Sequence, residues 1–417
     1  MTSNVLKQTA RRAKEASEAL ATLSSHAKNQ ALGAMARALL RRQRFILREN
    51  TKDVRAALKK GLLSSLVGRL ELNGKKIKQM ADSLRLIAGL PDPIGRVLST
   101  VRRPNGLLIK KIRVPLGVIL IIYESRPNVT ADCIALCLKS GNSVILKGGS
   151  EALYSNRAIY RVLDQAAAKR GIPRGAFELV ATSDRAAVKA LLQLNEWIDL
   201  VIPRGGEGLI REVANMSKIP VIKHYKGVCH VFVDKDADLK KSKEIILNAK
   251  AQNPAVCNAM ETLLVHRAVA KKFLPVISRA LKEKGVELRG CEKTRAIVAG
   301  VKKASEQDWY MEYLDLILSV RVVKDLGEAV AHIQKYGSHH SDAIVTENKK
   351  AASIFSNEVD SACVFVNCST RFNDGGEFGM GAEMGISTDK LHARGPMGLE
   401  ELTSYKYVVL GSGQTRK

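Results

Sequence analysis

The chain has 417 residues, 46% of them hydrophobic, and it carries a formal net charge of +26. This length exceeds what one hydrophobic core usually organises, so we expect at least two domains. The longest uninterrupted apolar stretch, Val118 to Tyr123, has the length of a strand, which argues against a membrane span. The basic residues are spread along the chain and aromatic residues make up only 5%, which argues against a nucleic-acid-binding surface.

The seven cysteines and eight histidines are scattered, and no two cysteines form a Cys-x-x-Cys pair. This dispersed pattern predicts neither a disulfide framework nor a zinc site, and we expect no metal. The N-terminal segment is basic and amphipathic, without the apolar stretch of a secretory signal. A reducing cytosol is therefore the expected compartment.

Apolar residues recur at helical spacing from Ser3 to about Leu90, which predicts a run of amphipathic helices. Two β-rich runs follow, separated by the pair Asn105-Gly106. Asn-Gly is a strong hairpin signal, so we predict a hairpin from Val97 to Ile112. Because an isolated two-stranded ribbon is only marginally stable, this hairpin favours an oligomerisation arm.

Short apolar runs then alternate with helical segments, which predicts parallel, doubly wound α/β sheets. The strands predicted for a first unit are Val118–Tyr123, Ser143–Lys147, Phe177–Val180, Leu200–Ile202 and Val228–Val233. A second unit is predicted from Ala237 onward, with helices at Lys240–Lys250 and Val269–Lys284 and strands at Thr262–His266, Ala296–Val298 and Leu314–Val323. A last strand, Tyr405–Leu410, is expected to pair with the hairpin.

Two strand-to-helix turns carry glycines beside a basic residue. The first turn holds Lys147, Gly148, Gly149 and Ser150, and the second holds Arg204, Gly205 and Gly206. Glycines let a backbone approach a ligand closely, and a helix N-terminus favours anions, so the two turns together favour a nucleotide site over plain connections. A Gly-x-Gly-x-x-Gly fingerprint is absent, which argues against the common Rossmann dinucleotide geometry.

One cysteine, Cys257, lies in the segment KAQNPAVCNAMETLLV, three residues after a proline and just before an apolar run. A thiol on such a turn can face a cleft and act as a nucleophile, whereas many lone cysteines only fill a core. The local sequence leaves both interpretations open.

Seven segments spread over nearly the whole chain are more specific than any single motif. They are YESRPNVTADCIALCLKSGNSVILKGGSEA, DLVIPRGGEGLIREV, GVCHVFVDKDADL, NPAVCNAMETLLVH, EYLDLILSV, VDSACVFVNCSTRF and GISTDKLHARGPMGLEELTSYKYVV. In this order they resemble the gamma-glutamyl phosphate reductase family of the aldehyde dehydrogenase superfamily. The resemblance implies an aldehyde dehydrogenase-like fold, with two doubly wound α/β domains and a β-hairpin oligomerisation arm.

The resemblance and the pattern of predicted helices and strands together imply the following domain boundaries. A cofactor-binding domain would comprise residues 1–96 and 113–234, and a catalytic domain with Cys257 would comprise residues 235–366. The arm would comprise residues 97–112 and 403–417. Residues 367–402 would form a loop-rich return to the cofactor domain and the substrate pocket.

The resemblance also implies an activity, the NADPH-dependent reduction of L-glutamyl 5-phosphate to L-glutamate 5-semialdehyde and phosphate in L-proline biosynthesis. Cys257 falls on the family's nucleophile and would form a thioester. Lys147 falls on a lysine that contacts the adenosine ribose, and Glu312 on a glutamate that holds the nicotinamide ribose. The two glycine turns would complete the NADPH site.

Two positions depart from the wider superfamily. Hydrolytic members carry a water-activating glutamate where this chain has His224, and loss of that base suits an enzyme whose thioester must avoid water. The oxyanion-hole asparagine is replaced by Glu124 or Ser125. Asn128 and the backbone N–H of Cys257 are the candidate replacements, and the sequence does not choose between them.

The loop NCSTRFND aligns with the superfamily's substrate pocket. Its candidate substrate-binding residues are Ser369, Thr370, Arg371 and Phe372. Arg126 and Arg371 are candidates for the substrate's carboxylate or phosphate, because a guanidinium binds either group bidentately.

The resemblance further implies a homo-oligomer, and it leaves contact with glutamate 5-kinase open. Two rival interpretations are carried forward. One keeps the fold and changes the acyl substrate, and the other is a basic nucleic-acid-binding protein built on the same scaffold.

Overall fold

A computed structural model of the chain describes residues 2–62, 64–124 and 126–416. The chain forms two compact units. Unit 1 comprises Met1–Lys223, Gly379–Gly385 and Met397–Lys417, and unit 2 comprises His224–Phe378 and Ile386–Pro396. Among the described residues, no helix is long and apolar enough to cross a membrane.

Fourteen α-helices are assigned in the described part of the chain. They are α1 (Ser3–Ala21), α2 (Ser25–Arg41), α3 (Gln43–Lys59), α4 (Ser64–Leu70), α5 (Gly74–Gly89), α6 (Asn128–Lys139), α7 (Leu153–Ala168), α8 (Arg185–Leu191), α9 (Glu207–Met216), α10 (Leu239–Ala251), α11 (Arg267–Glu283), α12 (Glu292–Ile297), α13 (Leu326–Tyr336) and α14 (Lys349–Glu358). Side-chain caps begin several of them, as where Asn73 accepts from the N–H of Lys76 and Asp238 from that of Lys241.

The same part of the chain contains sixteen strands. They are β1 (Val97–Arg102), β2 (Leu108–Pro115), β3 (Val118–Tyr123), β4 (Ser143–Gly148), β5 (Phe177–Leu179), β6 (Leu200–Arg204), β7 (Cys229–Val233), β8 (Met260–His266), β9 (Glu287–Gly290), β10 (Lys302–Lys303), β11 (Ile317–Val323), β12 (Ser341–Val345), β13 (Cys363–Val366), β14 (Gly385–Ser387), β15 (Gly395–Met397) and β16 (Thr403–Leu410).

Unit 1 contains a four-stranded parallel sheet in the order β5-β4-β3-β6. Every residue of β3 and of β4 is buried. Strands covered on both faces need a continuous apolar run, not an alternating one, and VILIIY supplies such a run in β3. The predicted strands of this sheet are confirmed to within two residues at each end.

Unit 2 contains a seven-stranded parallel sheet in the order β10-β9-β11-β8-β7-β12-β13. The strand β7 lies near its middle and pairs with β8 and β12. The sequence assigned this strand to the first unit and placed the domain boundary after residue 234, whereas the chain divides after Lys223. Alternation of strands and helices does not reveal which sheet a strand joins, because the pattern continues unchanged across the boundary.

The prediction of a strand at Ala296–Val298 is wrong. Helix α12 occupies Glu292–Ile297, and the neighbouring strands are β9 and β10. An acidic residue, Glu292, lies in the first turn of α12 and a basic one, Arg295, in its last turn, which favours the helix dipole. The apolar residues at its end pack on the core of unit 2, so their burial does not require a strand.

The predicted hairpin forms strands β1 and β2, and it acquires a third strand from the C-terminus. Strand β16 pairs antiparallel with β2 along its whole length, from Thr403 opposite Pro115 to Leu410 opposite Leu108. This pairing confirms the expectation for the last strand. Gly106 has a φ of 88° in the turn between β1 and β2, a conformation that glycine adopts without strain.

Candidate active site

Cys257 lies half-buried in the turn between α10 and β8, at the amino-terminal edge of the unit 2 sheet. The ends of that turn are tied together beneath it by an ion pair. Lys250 of α10 and Glu261 of β8 are both fully buried, with Nζ and Oε2 2.6 Å apart. Burial raises the pKa of Glu261 to about 7, and the attraction of Lys250 opposes that shift. The pair thereby fixes where the turn leaves the helix and enters the strand.

The backbone of Cys257 is held by residues at the start of β7. The Cys229 thiol donates a hydrogen bond to the carbonyl oxygen of Cys257 at 3.2 Å. Gly227 approaches the same peptide so closely that a Cβ there would overlap the Cys257 carbonyl. The N–H of Gly227 donates to Oε1 of Glu312 at 2.9 Å, which fixes Gly227 in turn. Cys229, expected to be structural, therefore supports the candidate nucleophile directly.

Asn258, the residue after Cys257, joins the turn to the predicted substrate loop. Its side-chain nitrogen donates to the carbonyl of Asn373 at 3.0 Å, and its own carbonyl accepts from Oγ1 of Thr370 at 2.7 Å. Both Asn258 and Thr370 are buried. Sequence reasoning missed Asn258, although its place beside a candidate nucleophile was an available signal.

The four predicted substrate-binding residues of this loop divide into two kinds. Ser369 is buried and accepts from the N–H of Arg371 at 3.2 Å, and Thr370 is buried against Asn258, so both hold the loop. Arg371 is half-buried and donates through Nε to Gln252 at 2.8 Å and through Nη1 to Asn258. Phe372 is 47% exposed. Burial lowers the pKa of Arg371, which Asp374 partly offsets.

Two histidines lie beside Cys257. One ligand atom from each of His224, Cys257 and His340 lies within 4.8 Å of the other two. The two imidazole rings meet edge to face, with centroids 5.5 Å apart. His224 also has its Nδ1 2.9 Å from the carbonyl oxygen of Ile386. Of these two histidines, only His224 was singled out from the sequence.

Unit 1 contains a cavity of about 830 Å³ beyond the carboxyl ends of its parallel strands. Its walls come from the ends of β3 and β4, from the segment after β5, and from α3 and α9. They include Asp53, Lys60, Tyr123, Glu124, Lys147, Gly148, Gly149, Ser150, Glu151, Ser183, Arg185, Gly208, Leu209 and Glu212. Ligands of open parallel sheets bind at this end of the strands, and the volume lies within the usual range for small-molecule sites.

Lys147 is buried at the end of β4, on the wall of this cavity. Its Nζ donates to the carbonyl of Gly148 at 2.9 Å, and an ammonium has two further protons to donate. Burial lowers the pKa of Lys147, while the charges of Glu151 and Asp184 oppose that shift. An anion in the cavity would stabilise this partly desolvated charge.

The second glycine turn lies at the end of β6. Glu124 joins it to the end of β3, because its carboxylate accepts from the N–H of Gly206 at 3.0 Å and its own N–H donates to the carbonyl of Arg204. Arg204, Gly205 and Gly206 do not line the cavity, whereas Gly208 and Leu209 on the following helix do. The structure thus brings the first glycine turn, but not the second, onto the cavity wall.

A candidate oxyanion-hole residue, Asn128, and a candidate substrate-binding residue, Arg126, lie near the start of α6 in unit 1. Asn128 is exposed and donates to the carboxylate of Asp132 at 3.3 Å. Arg126 is exposed as well. Of the residues at the expected oxyanion-hole position, Glu124 is engaged with the β6 turn and Ser125 lies outside the described residues.

The chain matches the aldehyde dehydrogenase family over residues 1–315. It is 57% identical over 406 residues to a gamma-glutamyl phosphate reductase of Moorella thermoacetica, covering 97% of each chain. A crystal structure of gamma-glutamyl phosphate reductase from Thermotoga maritima superposes with a TM-score of 0.97 at 49% identity, covering 99% of this chain and 100% of the other. The chain belongs to the gamma-glutamyl phosphate reductase family.

More distant structures support the fold alone. An acetylating aldehyde dehydrogenase from Geobacillus thermoglucosidasius superposes with a TM-score of 0.71 at 17% identity, covering 100% of this chain and 98% of the other. Membership of the aldehyde dehydrogenase family makes the protein an oxidoreductase that acts on an aldehyde group. The expected aldehyde dehydrogenase-like fold is confirmed.

The close approach of Gly227 to Cys257 generates a prediction. In Gly227→Ala, the added methyl group would displace the Cys257 turn, and misplacing a reacting atom by about 1 Å can cost about 10²-fold in rate. We expect turnover of the aldehyde substrate to fall by about that factor while the melting temperature shows that the chain still folds.

Gly327→Ala is the matched control in the same unit. A Cβ at Gly327 meets only the Asp325 carboxylate at an ordinary contact distance of 3.4 Å. Turnover of Gly327→Ala should equal that of the unchanged protein, and equally normal turnover of Gly227→Ala would show that the close approach does not position Cys257.

Proposed function

We propose that this protein reduces L-glutamyl 5-phosphate to L-glutamate 5-semialdehyde and phosphate with NADPH, as a step of L-proline biosynthesis. The observation that carries the proposal is the position of Cys257, which stands half-buried in a turn whose backbone and neighbours are fixed by Cys229, Gly227 and Asn258. The names of relatives that are 52–57% identical over nearly the whole chain support the substrate.

Cys257 acts as the nucleophile. Its thiolate attacks the acyl carbon of the substrate, a carbon–sulfur bond forms, and the carbon–oxygen bond to phosphate breaks, so that phosphate leaves and a thioester remains. A bound nicotinamide cofactor supplies the hydride that reduces the thioester carbon to the aldehyde. The Cys257 sulfur is then released as thiolate, ready for the next acyl phosphate. The Cys257 backbone N–H and Asn128 remain the two candidates for stabilising the developing oxyanion.

The residues of the unit 1 cavity suit the adenosine end of such a cofactor. Lys147, Lys60 and Arg185 place three basic groups on the wall, and Gly148 and Gly149 line it next to Lys147. The same wall carries four carboxylates, those of Asp53, Glu124, Glu151 and Glu212. A ribose 2′-phosphate would pair with the buried Lys147 ammonium. We further assign the nicotinamide ribose to Glu312 and the adjoining phosphates to the turns of Ser150 and of Arg204, Gly205 and Gly206.

The proposed reaction also requires that water stay away from the thioester. His224 takes the place of the glutamate that activates water in hydrolytic members of the superfamily. Its Nδ1 faces the carbonyl oxygen of Ile386 at 2.9 Å, and a carbonyl can only accept, so the proton of a neutral His224 lies on Nδ1. The main chain thus holds this histidine in place, and the position has no carboxylate that could activate water.

The substrate is dianionic at its phosphate and carries a carboxylate at its other end. We assign these groups to Arg371 and Arg126, with Phe372 beside the acyl chain and Ser369 and Thr370 fixing the loop. Arg371 suits this role because Gln252 and Asn258, which flank Cys257 in the chain, orient its guanidinium.

The protein works in a reducing compartment, which keeps Cys257 and the other cysteines as thiols.

Replacement of the nucleophile tests the proposal. We expect Cys257→Ser to lower both NADPH oxidation by glutamyl phosphate and phosphate-dependent NADP reduction by the semialdehyde by about 10³-fold or more, because a hydroxyl is far less ionised than a thiol. Cys291→Ser is the control, since the Cys291 thiol bonds Thr294 at 3.3 Å in the same unit.

Near-normal rates in Cys257→Ser would refute the thioester mechanism. The rates of the unchanged protein with semialdehydes of different chain length separate glutamate 5-semialdehyde from a related acyl substrate. A preference for another chain length would keep the mechanism and replace the substrate.

Cofactor preference is tested at Lys147. If its ammonium binds the 2′-phosphate, Lys147→Ala should raise the KM for NADPH by about 10- to 100-fold, the value of a charge-assisted hydrogen bond, and change the KM for NADH by much less. Lys169→Ala, at the exposed far end of α7, should change neither constant. An equal rise for both cofactors would mean that Lys147 binds a group that NADPH and NADH share.

We also propose that strands β1, β2 and β16 form an assembly surface for a second copy of this chain. Both outer strands, β1 and β16, expose apolar side chains, including Val101, Tyr407 and Val409. Exposed apolar strands of this kind ordinarily pair or become covered. Contact with glutamate 5-kinase stays a prediction.

The assembly surface is tested by paired lysine substitutions. Val409 is 53% exposed on β16, and Val276 is 52% exposed on α11. A lysine at either position therefore leaves its charge similarly accessible to water, so the two variants should differ little in folding stability. Val409→Lys should lower the mass measured by sedimentation to that of smaller assemblies, whereas Val276→Lys should not. An unchanged mass for Val409→Lys would place the assembly surface elsewhere.

A further inference from the structure

Cys257 has two imidazole neighbours, His224 and His340, to which the proposed reaction assigns no proton transfer. The ligand atoms of His224, Cys257 and His340 lie within 4.8 Å of one another, although the three residues are far apart in the chain. We propose that these three side chains form a binding site for a thiophilic divalent cation of the zinc class, and that an ion bound there reversibly blocks the enzyme. The inhibition rests on the proposed role of Cys257, whereas the binding site does not.

His340 supplies the observation that points to a ligand. Its side chain is fully buried, and its Nε2 has no hydrogen-bond partner among the described residues. Buried polar atoms almost always have a partner, so an unpaired nitrogen on an imidazole ring that lies near a thiol and a second imidazole is notable.

The outer nitrogens of both histidines have the partners that metal-binding histidines use. Metal-bound imidazoles normally donate their second N–H to a carbonyl or another acceptor. His224 has Nδ1 2.9 Å from the Ile386 carbonyl, and His340 has Nδ1 2.8 Å from Oγ of Ser341. The Ile386 carbonyl can only accept, so it places the His224 proton on Nδ1 and the lone pair on Nε2. The Ser341 hydroxyl and the Cys229 thiol, 3.6 Å away, can each accept from Nδ1 of His340, which is compatible with a lone pair on its Nε2.

The donor set determines the class of ion. One thiolate and two imidazoles are the ligands that Zn²⁺ prefers, and three protein ligands leave a fourth position open for water or an anion. Zinc–sulfur and zinc–nitrogen bonds of about 2.3 and 2.0–2.1 Å place such donors roughly 3.5 Å apart in a tetrahedral site. The half-buried Cys257 side chain would have to turn inward to close the present span.

An ion in this site would inhibit the enzyme. Its bond to sulfur uses the electron pair that attacks the acyl carbon, and the thiol proton is released to solvent as the bond forms. Removing the ion restores the thiol, so the inhibition is reversible by a chelator. The dispersed cysteines and histidines of the sequence argue against a metal that is permanently bound. The site proposed here is of another kind, because its ion binds reversibly and is not needed for the reaction.

The experiment measures binding directly. Zn²⁺ is titrated into the metal-free, full-length protein in competition with a chromophoric chelator, and Co²⁺ is used as a spectroscopic substitute. We expect one equivalent of Zn²⁺ and a cobalt spectrum with a sulfur-to-cobalt charge-transfer band and tetrahedral ligand-field bands. Cys257→Ser should abolish the charge-transfer band, and His340→Asn should weaken Zn²⁺ binding at least tenfold.

Matched variants keep the test decisive. His224→Asn changes a half-buried ligand, so it should fold even if the buried His340→Asn does not, and it should weaken binding at least tenfold as well. His339→Asn is the control. Its side chain is 51% exposed, it contacts the Asp360 carbonyl, and its φ of 59° is one that asparagine tolerates, so its Zn²⁺ affinity should be unchanged.

The outcomes separate the cation site from the proposed function. Wild-type Zn²⁺ affinity in His224→Asn and in a folded His340→Asn would overturn the site, because the cysteine alone would then bind the ion. A cobalt spectrum without a sulfur band would overturn it as well. If Cys257→Ser loses both turnover and the sulfur band, both proposals hold. If it keeps its turnover but loses the band, the proposed nucleophile fails and the site stands.

Discussion

The position of β7 between β8 and β12 is the constraint on which the candidate active site depends. Parallel pairing places Cys229 opposite Met260 and His230 opposite Asp342. The residues that precede these three strands therefore reach the same edge of the sheet. Gly227, Cys257 and His340 come from three separate parts of the chain, and strand order alone makes them neighbours. The missing side chain of Gly227 then allows its backbone to lie against the Cys257 peptide.

The two units carry their candidate site residues at opposite ends of their own parallel strands. In unit 1 the cavity lies beyond the carboxyl ends, where helices begin and where the buried Lys147 lines the wall. Helix N-termini favour anions, which suits a phosphate-bearing ligand. In unit 2 Cys257 lies before the amino end of β8, where side chains hold the turn. Hydrogen bonds from Cys229 and Asn258 there fix the backbone around the candidate nucleophile.

The predicted substrate loop shows how one motif can combine structural support with candidate substrate contacts. Thr370 and Ser369 are buried and bond within the loop or to Asn258, so their polar atoms are satisfied by the protein itself. Arg371 extends from the same turn and is oriented by residues on both sides of Cys257. Burying the first two residues is what gives the third a defined position. The family motif therefore predicted the loop without distinguishing its scaffold from its candidate contacts.

The sequence by itself determined the features that depend on local pattern. The apolar run of β3, the Asn-Gly hairpin and the amphipathic N-terminal helices follow from periodicity and turn chemistry, because each is stabilised largely by residues close in the chain. The family and the candidate role of Cys257 followed from segments whose residue types resemble known relatives. Local pattern failed at Ala296–Val298, where an apolar run too short to define a strand lies at the end of a helix. It also failed at β7, which the continuing α/β alternation assigned to the wrong unit.

Tertiary structure decided everything that depends on which strands are neighbours. No local signal connects His340 or Gly227 with Cys257, since these residues are joined only through the order β8-β7-β12. Asn258 supports the turn only because the predicted substrate loop folds back against it. Cys229 supports the turn only because the register of β7 places its thiol beside the Cys257 carbonyl. Hydrogen bonds and packing distances act between residues that are close in space, whereas sequence patterns report only residues that are close in the chain. The candidate role of Cys257 followed from the resemblance of its segment to known relatives, and its surroundings followed only from the fold.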